Sequence, residues 1–179
     1  MTKIVNYDTP YIAHPVSRTS LRLVAEELKK KLNISVTKPY VDVVMILDRL
    51  SEIDSSFNYE IVEDWQLDEH VQAMTNVEAK TIYIKSSVYE DACQGIGKDR
   101  MSIAHEIGHI LLHRDVIQMP VLYRYDGSLK LYQKPEWQAE CFAAELLMPY
   151  EQIKNMSVEE IMISCGVSRP AAIYQKSHI

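Results

Sequence analysis

The stretch His105-Glu106-Ile107-Gly108-His109 constrains this chain more than any other. Two histidines four apart lie on one face of a helix, so both imidazoles can turn a nitrogen toward a single ion, and the glutamate after the first stands within reach of a water there. Such a site demands a buried helix and a third protein donor from elsewhere, because hydrolytic zinc sites use three protein ligands and keep a fourth position open. The helix meets the first demand. Met101, Ile103, Ala104, Ile107, Ile110, Leu111 and Leu112 make it apolar around most of its circumference, with Asp99 as its expected cap. Gly108 costs about 1 kcal/mol of helix stability against alanine, so its place inside the motif predicts a neighbour too close for a side chain, expected in the sheet.

The third donor is expected on a helix running from Glu136 to Met148, opened by Pro135 and stopped by Pro149. Glu136 and Glu140 share one face, which allows one to ligate the ion while the other accepts a hydrogen bond from a ligand histidine. Glu145 falls further round and is expected to face solvent. His113 prolongs the histidine series, but His105 and His113 are separated by about 12 Å of helical rise and cannot share an ion. A place beside a ligand suits His113 better. His14, His70 and His178 stand apart, without partners in the pattern.

The rest of the chain supplies a frame. An amphipathic helix is predicted from Ser17 to Leu32, with Lys29 to Lys31 at its negative C-terminal end, and a second from an Asp42 cap to Ile53. Phe57, Tyr59 and Ile61 alternate as in a strand, and His70 to Thr75 and Lys80 to Lys85 flank the polar turn Asn76-Val77-Glu78-Ala79. This gives a small antiparallel sheet of about three strands. A short helix through Cys93 and a turn at Gly95-Ile96-Gly97 follow. Asp126-Gly127 sits between Val121 to Tyr125 and Ser128 to Tyr132 as a hairpin that can fold over a cleft. Ser157-Val158-Glu159-Glu160 is a capping box opening a short helix that ends near Gly166, and Ser168-Arg169-Pro170 opens a last one. The fold class is α+β, with residues 1–150 as the main domain and 151–179 as a short helical extension of it.

With a net charge of −6 and a pI near 5.5, the chain lacks the basic footprint of a nucleic-acid binder. The N-terminus has no apolar signal region and no run is long enough for a membrane span, so no membrane association is expected. Three widely spaced cysteines argue against a disulfide framework and for a reducing cytoplasm.

Arg100-Met101-Ser102-Ile103-Ala104-His105-Glu106-Ile107-Gly108-His109-Ile110-Leu111-Leu112-His113, followed by Glu136-Trp137-Gln138-Ala139-Glu140-Cys141-Phe142-Ala143-Ala144-Glu145-Leu146-Leu147-Met148-Pro149, resembles the ImmA/IrrE family of bacterial zinc metallopeptidases. The resemblance is strong from about residue 80 to 149. It implies a zincin-like fold with one zinc ion held by His105, His109 and Glu136, Glu106 as the catalytic base, and Glu140 in the orienting position. It further implies a cytoplasmic endopeptidase that cleaves a helix-turn-helix repressor and so derepresses its genes, in prophage, mobile-element or stress regulation. Members often carry a helix-turn-helix of their own. Here the first helix pair leads directly into the strands, so DNA contact is expected from the partner.

Related zinc peptidases pair substrate backbone with a strand edge beside the active helix, and Thr81, Ile82, Tyr83 and Ile84 are the expected equivalent. Tyr123, Tyr125 and Tyr132, with Arg124, are candidates for stabilising the oxyanion. Two other functions compete: a zinc-containing protein that sequesters a repressor without cutting it, and a transcription factor built on the C-terminal helices near Gly166. The intact Glu106 weighs against the first and the acidic charge against the second.

Overall fold

Side-chain caps set the helix starts as their sequence signals predict. Ser17 accepts from the Ser20 amide and opens α1 (Arg18–Lys31), and Asp42 accepts from Val44 and Met45 to open α2 (Val43–Ile53). The computed structural model describes residues 13–35, 37–113 and 130–179, so the expected hairpin around Asp126-Gly127 lies outside the described residues. After the strands come α3 (Ser86–Cys93), α4 (Gly97–His113), α5 (Pro135–Leu147), the single turn α6 (Tyr150–Ile153), α7 (Val158–Cys165) and α8 (Arg169–Lys176). Asp99 lies inside the first turn of α4, which begins two residues earlier than its expected cap. Pro135 opens α5, the Ser157–Glu160 capping box opens α7, and Gly166 ends α7 in the left-handed conformation.

The sheet has the expected three strands, β1 (Asn58–Val62), β2 (Ala73–Asn76) and β3 (Thr81–Lys85), in the order β1-β3-β2. β2 and β3 form the antiparallel arms of a hairpin, its turn fixed by Asn76 Oδ1 accepting from the Ala79 amide at 2.9 Å. β1 pairs with β3 in parallel, so the sheet is mixed where a wholly antiparallel one was expected. Alternation along one segment reports that a strand exists and says nothing of its neighbour; the connection through the 3-10 turn Asp64–Gln66 reverses the chain before β2 and leaves β3 in the middle. Thr81, Ile82, Ile84 and Lys85 are accordingly all buried, as a central strand requires.

One face of the sheet meets α2, α3 and α4 in the main core, where Ile82 and Ile84 join Ile46, Leu47, Ile103 and Ile107. Val62, Leu67 and Met74 pack with Val71 and Tyr83 in a smaller cluster of their own. α4 packs most extensively on α5. The close neighbour of Gly108 is there and not in the sheet: a Cβ on Gly108 would sit 3.0 Å from Phe142 Cδ1 and 3.2 Å from Ala139 Cα. Gly97 serves the other end of α4, where a Cβ would come within 2.9 Å of the backbone between Gly166 and Ser168.

Two buried charges tie the termini to this helix pair. Arg100, fully buried on α4, donates to the carbonyls of Val41 and Cys165, both at 2.8 Å, and of Gly166, with its guanidinium 4.2 Å from the Tyr40 ring centroid. Glu145, expected at the surface, is buried on α5 and paired with Arg18 and Arg22 of α1, each at 2.8 Å. Arg18 also donates to Gln175 of α8. Cys93, Cys141 and Cys165 are free thiols. Among the described residues, no helix is long and apolar enough to cross a membrane.

Candidate metal centre

The close contact at Gly108 matters because it lets the two helices approach at the motif itself. α4 presents His105 and His109, one turn apart, toward the first turn of α5, where Glu136 stands immediately after Pro135. His105 Nε2 lies 2.9 Å from His109 Nε2 and 3.2 Å from Glu136 Oε2, and His109 Nε2 lies 3.3 Å from Glu136 Oε1. Among the described residues these three side chains form a cluster able to hold a metal ion. Four tetrahedral bonds of about 2.0–2.1 Å would place neighbouring donors roughly 3.3 Å apart. The observed triangle comes close to that spacing, and its two imidazoles and one carboxylate are a donor set that suits a divalent ion.

The electrostatics tell the same story from the protein's side. Hydrogen bonding to His105 and then to His109 holds the Glu136 carboxyl well below the usual carboxylate range, so it is ionised at any working pH. Burial lowers the pKa of His105, but the hydrogen bond to Glu136 and the charges of Glu106, Glu136 and Glu140 outweigh it and the net shift is upward. Both effects are those of a site that gathers negative charge around its histidines. A cation satisfies such a site more completely than a proton can.

Glu106 faces a different environment. Burial pushes its carboxyl upward, against the positive influence of His105 and His109, which makes it a better base than an exposed glutamate. Thr75 of β2 donates to the Glu106 backbone carbonyl at 3.1 Å and so fixes the edge of the sheet against the motif.

His113 lies behind the cluster. It is buried, its Nδ1 is 3.1 Å from His109 Nδ1, and its Nε2 is 3.1 Å from Gln138 Oε1. Burial and the neighbouring His109 pull its pKa down to about 4, so it is neutral. Glu140 is exposed, and among the described residues no hydrogen bond joins it to His105 or His109. Its influence on His105 is through charge alone. The side chain bonded to His109, a candidate ligand, is therefore His113, backed by Gln138, a residue the sequence did not single out. An amide carries no motif; its position two residues after Glu136, on the buried side of α5, was the available signal.

The strand expected to receive substrate needs correcting. Thr81, Ile82, Tyr83 and Ile84 belong to β3, whose backbone is paired on both sides, so it has no edge to offer. The strand beside α4 is β2, which among the described residues pairs with β3 alone. Tyr123, Arg124 and Tyr125 lie outside the described residues. Tyr132 sits in the 3-10 turn Leu131–Gln133 with its ring partly exposed and its carbonyl accepting from the Val16 amide at 3.2 Å.

A His, His and Glu cluster on two packed helices, with a half-buried acid beside it and a short mixed sheet alongside, defines the zincin-like class of metallopeptidase folds. Residues 68–164, more than half of the chain, match the IrrE N-terminal-like domain of the peptidase M78 family, and the chain belongs to that family. No curated protein matches it. A solved structure described as a Mycobacterium tuberculosis transcriptional regulator is similar over 88% of this chain and 46% of that one, with 15% identity and a TM-score of 0.58. At that identity the likeness is one of fold, and this chain spans less than half the length of that structure.

Proposed function

We propose that this protein is a zinc-dependent endopeptidase that cleaves a partner repressor of the helix-turn-helix class. The observation that carries the reading is the triangle of His105, His109 and Glu136 with the half-buried Glu106, its carboxyl pKa raised, on the same turn of helix. His105, His109 and Glu136 would hold one zinc ion, which when bound would supply Lewis acidity at the scissile carbonyl and lower the pKa of a water toward neutral. Glu106 accepts the proton of the attacking water and returns it to the leaving amine. Glu136, held ionised, balances charge through the cycle.

β2 is the strand of choice for pairing with an extended substrate, since among the described residues its outer edge pairs with no strand, it packs beside α4, and Thr75 anchors it to the motif. Tyr132 remains a candidate for oxyanion stabilisation, with Tyr123 and Tyr125. The repressor as substrate rests on the family's association with regulation, and the fold neighbour described as a transcriptional regulator is consistent with it. DNA contact is then the partner's task, in keeping with the acidic charge of this chain.

The test is Glu106→Gln. The variant should bind zinc and a candidate helix-turn-helix repressor as the wild type does, with cleavage lowered by about 10²–10⁴-fold, followed by electrophoresis and mass spectrometry of the products. A variant that still cuts, or a wild type that binds the repressor with zinc loaded and never cuts, sinks the peptidase reading; the second outcome favours sequestration.

A further inference from the structure

Behind the metal donors runs a chain of hydrogen bonds in which each partner dictates the proton of the next. Gln138 is buried on α5, and its side-chain nitrogen donates to the backbone carbonyls of His14 at 2.7 Å and Tyr132 at 2.8 Å. Two carbonyls can face only the NH2 end of an amide, so the Gln138 oxygen is the atom left toward His113 Nε2, 3.1 Å away. That oxygen can only accept. His113, buried between that amide and an imidazole, therefore carries its proton on Nε2 and presents a lone pair at Nδ1. Across 3.1 Å stands His109 Nδ1, which is then the donor, so the nitrogen turned toward His105 Nε2 and Glu136 Oε1 is Nε2, whose proton toward the carboxylate is the one a metal ion would replace.

We propose that Gln138 is a positioning residue of the metal centre, acting through His113 to hold His109 in the tautomer whose Nε2 can ligate. The proposal rests on the metal-centre reading above and deepens it. Nitrogen ligands bind metal by a lone pair, so the wrong tautomer must rearrange before it can bind. The donor end of the same amide has a second task. The Val16 amide also donates to the Tyr132 carbonyl, at 3.2 Å, and the Ala13 amide to that of Gln133, at 3.1 Å. Gln138 thus joins the segments leading into α1 and α5 with one end and sets a ligand nitrogen with the other.

Two substitutions separate those ends, made in the full chain. Gln138→Met keeps the volume and removes both; Gln138→Glu keeps an acceptor for His113 and removes the donors. The ring-nitrogen resonances of His109 in isotope-labelled, metal-free protein report its tautomer, and competition with a chromophoric chelator reports zinc affinity. Wild type and Gln138→Glu should show the Nδ1–H form, and Gln138→Met a mixture with zinc affinity lower by about 10–100-fold. Should Gln138→Met not fold, His113→Phe breaks the same relay without touching the two carbonyls and carries the same expectation.

If both Gln138 variants lose zinc alike with the His109 tautomer unchanged, the residue acts only by joining the two segments, and the proposal is overturned. Unchanged tautomer and affinity in both variants overturn it as well. A wild type that takes up no zinc would defeat the metallopeptidase reading, and with it the role at a metal centre. Because the resonances need no metal, that failure is distinguishable from an error in the proton assignments.

Discussion

The two ends of α5 carry the same side chain to opposite purposes. At the C-terminal end, Glu145 has no exposed side-chain surface and is engaged by Arg18 and Arg22, permanent charges that stay 15% and 20% exposed. At the N-terminal end, Glu136 keeps 71% of its side chain exposed and faces two imidazoles, which are cationic only when protonated. The first carboxylate is neutralised by the fold. The second awaits something from solution, a cation or protons. Helix and residue type are shared, so the partners alone make one acid a strut and the other a donor.

Removing each acid in turn breaks the comparison most sharply. Glu136→Gln should lower zinc affinity by about a thousandfold or more, beyond the ~10–100-fold that losing an outer partner costs, while chelator-treated protein melts close to wild type. Glu145→Gln should do the reverse: stability falls by about 3 kcal/mol, at the low end for a buried pair because the arginines remain partly hydrated, and the folded fraction binds zinc normally. Urea unfolding with chelator present, set beside zinc titration of each variant, reads both. A Glu145→Gln protein that folds stably but no longer holds zinc would show that the two ends are coupled.

A smaller effect comes from pH. His113 stays neutral in the folded state down to about 4, whereas the unfolded chain protonates it near its ordinary value of 6.5. Between those values the unfolded state binds more protons at this residue, so its contribution to the stability of metal-free protein drops as pH falls through that window, by about 2 kcal/mol, while His105, with its raised pKa, works in the opposite sense. His113→Phe should flatten this dependence in urea midpoints at pH 7 and 4.5. Glu145→Gln should leave it in place, since the slope belongs to the metal end of the molecule.

What the sequence disclosed follows from how local each signal is. Ser17, Asp42, Pro135 and Ser157 mark helix starts by hydrogen bonds or φ angles confined to a few residues, and all four open helices in the structure. The spacing of His105 and His109 is equally local. Strand order is not: nothing within Thr81 to Lys85 states that β1 will lie parallel to it, and the error about the substrate strand follows directly from that. Glu145 was misplaced because the arginines that justify burying it lie on α1, far away in sequence. Gln138 was missed for a related reason, since its meaning comes from two carbonyls and a histidine that only the fold assembles.

Arg100 bears on where this protein can be cut. The three carbonyls that receive its guanidinium belong to Val41, Cys165 and Gly166, and the family match spans residues 68–164. A fragment trimmed to that match would retain the motif, both helices of the His, His and Glu cluster and β2, yet lose every one of those acceptors together with the Tyr40 ring, and should be less stable than the full chain. The segment that the family shares is a unit of descent; the packing around Arg100 reaches beyond it on both sides.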